Sequence, residues 1–203
     1  KQSRTLMSFI NHNAKEIHCK IVYYGPSLGG KTTNIQWVYQ SLAQDQRSKL
    51  VALNTEIERT LFFDFLPLEV GEIRGFQTRF HLYTVPGQVI YDASRKLILK
   101  GLDGVVFVVD SQADRLEENI ESMRNLEKNL EQQGYNIREV PLLIQYNKRD
   151  LPNALPISEL RRHLNLYNAQ EIEAAAFEGK GVLESFKLIS KNIIQILKGG
   201  ATV

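Results

Sequence analysis

Gly25-Pro-Ser-Leu-Gly-Gly30-Lys31-Thr32 fits the pattern G-x-x-x-x-G-K-[ST] and directly follows an apolar run, Ile17 to Tyr24, that reads as a strand. A helical pattern takes over from Lys31 to Leu42. Strand, glycine-rich loop and helix in that order make a cradle for nucleotide phosphates. Glycines at 25, 29 and 30 let consecutive N–H groups turn inward, and the helix start adds its positive dipole end. Lys31 supplies a point charge for the β and γ phosphates. Thr32 offers a hydroxyl to the Mg²⁺ that accompanies a nucleoside triphosphate, and Leu28 and Thr33 of the same stretch are counted with the phosphate-binding residues. A glycine turn arising by chance has no reason to fall between a strand and a helix.

Outward from this loop, strand-like runs alternate with helical periodicity to the end of the chain, which predicts an α/β fold with a mostly parallel sheet. The clearest strands are Ile17–Tyr24, Thr78–Val85, Gly104–Asp110 and Pro141–Asn147, and the near-continuous apolar run Val105–Val109 suits a central strand covered on both faces. Helices are predicted at Lys31–Leu42, Asp92–Lys100, Asp114–Gln133, Ile157–Leu164 and Val182–Leu197. The last carries Leu183, Phe186, Ile189, Ile193, Ile194 and Leu197 as an apolar stripe for core packing. Runs at Val51–Leu53 and Leu61–Val70, with Gly71 and Gly75 available for a turn, suggest an antiparallel edge hairpin, and Pro67 argues for an edge position or a bulge.

The chain has 203 residues, enough for one full core, and the expectation is a single domain over residues 7–200 with residues 1–6 as an N-terminal extension and a frayed tail from Gly199. A formal charge of +2 and the lack of a basic stripe interleaved with aromatics argue against a nucleic-acid partner. Cys19 is the only cysteine, lies within the first strand run and suits packing in a reducing compartment. No signal peptide, membrane span or lipidation box is legible, so a cytoplasmic protein without a membrane anchor, monomeric on its own, is expected.

Two further motifs lie at strand ends, where open α/β sheets bind ligands. Asn147-Lys148-Arg149-Asp150 fits N-K-x-D. The Asp150 carboxylate can accept from both N1–H and the exocyclic amine of guanine, a pair adenine does not present, while Asn147 and the Lys148 stem brace the loop and cover the ring. A desolvated acceptor left without donors is costly, which favours GTP and GDP over adenine nucleotides. Thr84-Val85-Pro86-Gly87-Gln88 ends the Thr78–Val85 strand. Gly87 can bring its N–H to a γ-phosphate and Gln88 can orient a water for in-line attack. Ala175-Ala176-Phe177 is a second base-contacting turn, through the backbone N–H of Ala176.

The order of these motifs, with Thr55–Phe65 (TEIERTLFFDF) and Thr78–Leu99 (TRFHLYTVPGQVIYDASRKLIL), resembles the small Ras-like GTPases and most closely the bacterial MglA family, from Met7 to about Gly200. The resemblance implies a P-loop NTPase of the small-GTPase fold, GTP/GDP and Mg²⁺ as ligands, and a polarity and motility switch. It further implies control by an MglB-like roadblock-fold activating partner, downstream polarity and motility effectors, and recruitment to a cell pole through partners. It assigns Arg59 as an arginine finger acting in cis, Gln88 as the residue that positions water, and Thr60 as the threonine that binds Mg²⁺ only in the GTP state. Thr84 departs from the wider Ras pattern, where an Asp holds the metal through water. Asp64 is the candidate to compensate, and slow unaided hydrolysis is expected.

Two rivals stand beside this reading. A metabolic P-loop kinase needs an arginine-rich lid, for which only Arg161-Arg162 offers a close pair. A GTP-binding scaffold with negligible hydrolysis is suggested by the missing carboxylate at Thr84.

Overall fold

The computed structural model describes residues 9–41, 65–73, 75–88 and 91–200. These form seven strands and five α-helices: β1 (Phe9–Asn11), β2 (Glu16–Tyr24), α1 (Lys31–Ser41), β3 (Phe65–Ile73), β4 (Phe76–Thr84), α2 (Asp92–Leu99), β5 (Gly104–Asp110), α3 (Leu116–Glu131), β6 (Leu142–Asn147), α4 (Ile157–Leu164), β7 (Gln170–Glu173) and α5 (Val182–Gly200). The sheet runs β3-β4-β2-β5-β6-β7, with β1 pairing antiparallel to the start of β2. The pairs β2–β4, β2–β5, β5–β6 and β6–β7 are parallel and β3–β4 is antiparallel. This is the mostly parallel sheet with an antiparallel edge hairpin that the sequence predicts.

Sequence patterning explains the layers. Along β2, Ile17, Cys19, Ile21 and Tyr23 point to one face, where Ile35 and Val38 of α1 and Phe186, Ile189 and Ile193 of α5 meet them. The stripe on α5 is thus core, as its period requires. On the other face Val22, Tyr24, Val105, Phe107 and Ile144 pack under Ile98 and Leu99 of α2 and Leu126 and Leu130 of α3. Every residue of β5 is buried, so no alternation survives in its sequence. A buried polar tie crosses the first layer: the amides of Asn34 and Gln145 exchange hydrogen bonds of 2.9 and 2.8 Å, and Gln145 Nε2 donates to Ser185 Oγ at 2.7 Å. It fixes α1, β6 and α5 in one register beneath the phosphate loop.

Some expectations need correction. Gly71 lies inside β3, beside a shift in the pairing register between Glu69 and Glu72, and does not make the hairpin turn. Gly75, at φ 83°, lies between the strands, in the backbone region that favours glycine. The helix at the C-terminal end continues through Gly199 to Gly200, where fraying was expected. The run Val51–Leu53 falls outside the described residues. Strand β1 has no forerunner in the sequence reading, because three residues are too few to show a period.

The open face of β2 and β4 carries a titratable pair. His18 Nδ1 and His81 Nε2 lie 2.8 Å apart with stacked rings, and His18 Nε2 meets Glu16 at 3.0 Å. Burial, then the neighbouring His18 and Arg79, lower His81 to about 4 against an ordinary value of 6.5. The folded state therefore resists a proton that the unfolded chain accepts, so this contribution to stability is complete above about pH 6.5, is lost as pH falls from there to about 4, and changes no further below. Melting temperatures between pH 7.5 and 5 should fall more steeply for the native chain than for His81→Asn; parallel curves would refute the assignment.

Candidate functional site

The phosphate loop is a backbone construction. Leaving β2 at Tyr24, the chain adopts φ 142° at Gly25, where a Cβ would lie 2.2 Å from the Val108 carbonyl oxygen of β5. At Gly30, with φ 101°, a Cβ would lie 2.3 Å from Asn147 Nδ2. Any side chain at either place would push the loop off the sheet. Leu28 takes φ 60° despite its Cβ, at a cost of about 1–2 kcal/mol, and its side chain is 82 % exposed. Lys31 is buried, and its Nζ donates to the carbonyls of Gly25 (3.1 Å) and Pro26 (2.6 Å), which holds the ammonium inside the loop. Thr32, exposed, and Thr33, half-buried, open α1, whose first turn holds no acidic side chain to compete with an anion.

The guanine-reading motif joins this loop through one amide. Asn147, buried at the end of β6, donates from Nδ2 to the Gly29 carbonyl and accepts at Oδ1 from the Ala176 N–H, both at 2.8 Å. The Ala176 N–H, expected to face the base, is therefore engaged by Asn147 in this structure. Lys148, at φ 63°, extends its Nζ to Asp110 Oδ2 (2.6 Å) and Gln112 Oε1 (3.2 Å). Asp150 is exposed and lines a cleft of about 290 Å³ with Arg149, Ala174 and Ala175. Phe177, next to Ala176, is 85 % exposed.

At the other end, Thr84 is buried at the end of β4 and the chain turns through Pro86-Gly87. Gly87 is pressed on the phosphate loop: a Cβ there would lie 2.2 Å from Ser27 Cα. Gln88 is exposed and borders a cleft of about 360 Å³ with Ser27 and Glu121. The phosphate loop, Gly87-Gln88, Asn147-Lys148, Asp150 and Ala176 thus come together at the carboxyl ends of β2, β4, β6 and β7. Arg59, Thr60 and Asp64 lie outside the described residues.

Three charged groups were not anticipated. Asp110 is buried at the end of β5, takes Lys148, and lies 3.7 Å from Arg115. Arg115 also donates to the Ser27 carbonyl at 2.8 Å and pairs with Glu118 at 2.5 Å. Arg95 of α2 is fully buried and donates to the carbonyls of Pro86 and Gly87. A carboxylate closing the apolar run Val105–Val109 was the legible signal for Asp110; Arg95 and Arg115 carry none, since Asn125 and the Ser27 carbonyl, which they reach, lie far off in sequence.

The cradle suits a polyphosphate. Glycines that admit no Cβ keep the loop backbone close, a helix N-terminus points into it and a lysine is held beside it. The Thr32 hydroxyl is a hard oxygen donor of the kind that suits Mg²⁺ carried in with phosphates; among the described residues no group of three or more His, Cys, Asp or Glu side chains could hold a metal ion.

A P-loop strand–helix junction, an N-K-x-D strand end and a mostly parallel sheet with one antiparallel edge define the small-GTPase class of α/β proteins. Comparison with known proteins agrees. The family model described as ADP-ribosylation factor family matches residues 4–193. The mutual gliding-motility protein MglA of Myxococcus xanthus (strain DK1622) is 60 % identical over 194 residues, covering 96 % of this chain and 100 % of that protein. Human ADP-ribosylation factor-like protein 4C is 33 % identical over 139 residues, 64 % of this chain and 68 % of that protein. Human ADP-ribosylation factor-like protein 4A is 38 % identical over 86 residues, 42 % and 40 % of the two chains. The chain belongs to the ADP-ribosylation factor family of Ras-like small GTPases and, within it, to the MglA family. For this family GTP or GDP and Mg²⁺ are the general ligands. Among the described residues no helix is long and apolar enough to cross a membrane.

Asn147→Leu should strand the Gly29 carbonyl and the Ala176 N–H together. We expect a loss of about 2–4 kcal/mol in urea unfolding at neutral pH; a loss under about 1 kcal/mol would mean that the brace holds nothing.

Proposed function

We propose that this chain is a GTP-binding switch that hydrolyses GTP to GDP and phosphate, slowly alone and faster with an MglB-like roadblock-fold activating partner, in the control of cell polarity and motility. The observation that carries the nucleotide part is the single Asn147 amide joining the phosphate loop at Gly29 to the base turn at Ala176. One ligand with phosphates at one end and a base at the other explains why two loops so distant in sequence share a buried side chain. The motility part rests on the 60 % identity to a mutual gliding-motility protein over that protein's whole length.

In this mechanism the N–H groups from Leu28 to Thr33 and the Lys31 ammonium receive the phosphates, and Asp150 reads the guanine edge. Asn147 and Lys148 hold the reading loop. Thr32 and, in the triphosphate state, Thr60 would hold Mg²⁺ by their hydroxyls, and the ion would supply positive charge against the phosphates. Gln88 orients a water against the γ-phosphorus. The bond from that phosphorus to the β-bridging oxygen breaks, GDP leaves with the bond's electrons, and the water's proton ends on phosphate. Arg59 brings a guanidinium to the departing charge, worth roughly a thousandfold or more in rate. The partner acts by bringing that guanidinium to the γ-phosphate.

A metabolic kinase is disfavoured because Arg161, which an acceptor lid would need, is paired with Glu171 at 2.7 Å on exposed α4. A scaffold that binds GTP without hydrolysing it keeps one argument: Thr84 at the end of β4 offers no carboxylate to a metal's water shell.

Single-turnover phosphate release from GTP-loaded protein separates these readings. The native chain should release phosphate slowly and, with an MglB-type partner, at least a hundredfold faster. Arg59→Ala and Gln88→Leu should each remove most of that acceleration. GTP binding with no release under any condition would replace the switch by the scaffold, and transfer to a small acceptor would replace both by a kinase.

A further inference from the structure

A fully buried guanidinium is uncommon, and Arg95 is the largest of the fully buried side chains among the described residues. Its charge is dispersed over neutral acceptors. Nε donates to the Pro86 carbonyl at 2.8 Å, Nη2 to the Gly87 carbonyl, and Nη1 to Asn125 Oδ1 of α3 at 2.6 Å. The guanidinium carbon lies 5.4 Å from the centroid of the Tyr24 ring, within range of a cation–π attraction. The balancing negative charge stands one step back. Asp92 Oδ1 accepts from Asn125 Nδ2 (2.9 Å) and Asn129 Nδ2 (2.8 Å), and its Oδ2 pairs with Lys96 at 2.8 Å. Burial alone would raise the Asp92 carboxyl, but the hydrogen bonds from Lys96, Asn125 and Asn129 outweigh it and hold it at about 2, ionised at neutral pH. Tyr24 closes the network, its hydroxyl donating to Asn125 and accepting from Asn129 at 3.3 Å.

The chemistry lies in the two carbonyls that Arg95 takes. The peptides Pro86–Gly87 and Gly87–Gln88 are planar, with no cis bond among the described residues. In a trans peptide the N–H points opposite to the C=O. A guanidinium that holds the carbonyls of Pro86 and Gly87 on its own side therefore turns the N–H groups of Gly87 and Gln88 to the other side. Gly87 meanwhile abuts the Ser27 backbone of the phosphate loop so closely that a Cβ would lie 2.5 Å from the Ser27 nitrogen.

We propose that Arg95 is a positioning residue for the γ-phosphate: anchored to α3 through Asn125 and backed by Tyr24, it orients the Gly87 and Gln88 peptides so that their N–H groups, and the Gln88 side chain, are ready for a triphosphate. This deepens the proposed function and rests on that reading of Gly87 and Gln88. A lysine in its place carries the charge but not the planar fork, and cannot hold two adjacent carbonyls and an amide oxygen at once.

The test measures affinity for GDP and for a non-hydrolysable GTP analogue, and single-turnover phosphate release, in the native chain, Arg95→Met and Arg95→Lys, with thermal melts as a check on folding. Losing charge-assisted bonds to both peptides should cut the ratio of analogue to GDP affinity by about tenfold or more in Arg95→Met, and slow phosphate release, while GDP affinity stays near native. Arg95→Lys should fall between. Should Arg95→Met fail to fold, Arg95→Lys decides: a ratio reduced about threefold or more supports the clamp. A lowered melting temperature with an unchanged ratio and unchanged release would overturn it, leaving Arg95 a structural residue. A native chain that binds neither nucleotide overturns the proposed function itself, whereas a native chain that prefers one nucleotide state, beside an Arg95→Met chain with the same preference, overturns only the clamp.

Discussion

Around the phosphate loop, neighbouring segments approach so closely that no side chain fits between them. Gly25 lies on the Val108 carbonyl, Gly30 on the Asn147 side-chain amide and Gly87 on the Ser27 main chain. Close approach is what turns four strand ends into one site, since a phosphate can be gripped by N–H groups only if the loops that carry them converge. Side chains then hold what the glycines allow. Lys31 pins the loop from inside, Asn147 ties it to the turn after β7, and Arg115 ties it to the start of α3. The layers below, with α1 and α5 on one face and α2, α3 and α4 on the other, keep the strand ends level.

How far the sequence discloses this depends on the range of each interaction. The four main strands and five helices are legible because burial imposes a local period, and their ends fall within two or three residues of expectation. The phosphate loop and N-K-x-D are legible because their chemistry is carried by contiguous residues. The clamps are not. Arg95 acts on Pro86 and Gly87 of its own neighbourhood but needs Asn125 and Tyr24, while Arg115 reaches Ser27 across the sheet. Nothing in an isolated helix marks one arginine as buried and the next as solvated, because that distinction arises only after packing. Gly71 misleads for the related reason that a glycine serves a register shift in a strand as readily as a turn.

Charge is distributed along the site in a consistent way. Cations meet carbonyls at the phosphate loop, where Lys31 and Arg115 hold Gly25, Pro26 and Ser27, while the buried carboxylate of Asp110 sits behind Lys148 at the base end. That arrangement leaves the region where a polyphosphate would lie free of buried anions among the described residues. Thr84, buried at the end of β4, adds no carboxylate to that region. The stabilisation of developing charge then falls on donors that can be moved into position, which makes orientation of peptides and side chains the quantity that regulation can act on.

The two ends of the site differ in how they are held, and the difference determines which can move. The base end is braced by a neutral amide with both of its functions satisfied by main chain, so any displacement strands a buried donor and a buried acceptor at once. In the proposed switch the phosphate-sensing end hangs on Arg95, whose guanidinium is held against Tyr24 and Asn125 and itself holds the carbonyls of Pro86 and Gly87. A cleft bordered by Gln88 adjoins that turn. A ligand that differs by one phosphate can bias a conformational equilibrium only through contacts that differ between its states, and in the proposed switch the Gly87 peptide supplies them. The proposed switch thus joins a base reader braced by two buried main-chain bonds to a terminal-phosphate sensor oriented by one arginine, with the phosphate loop between them.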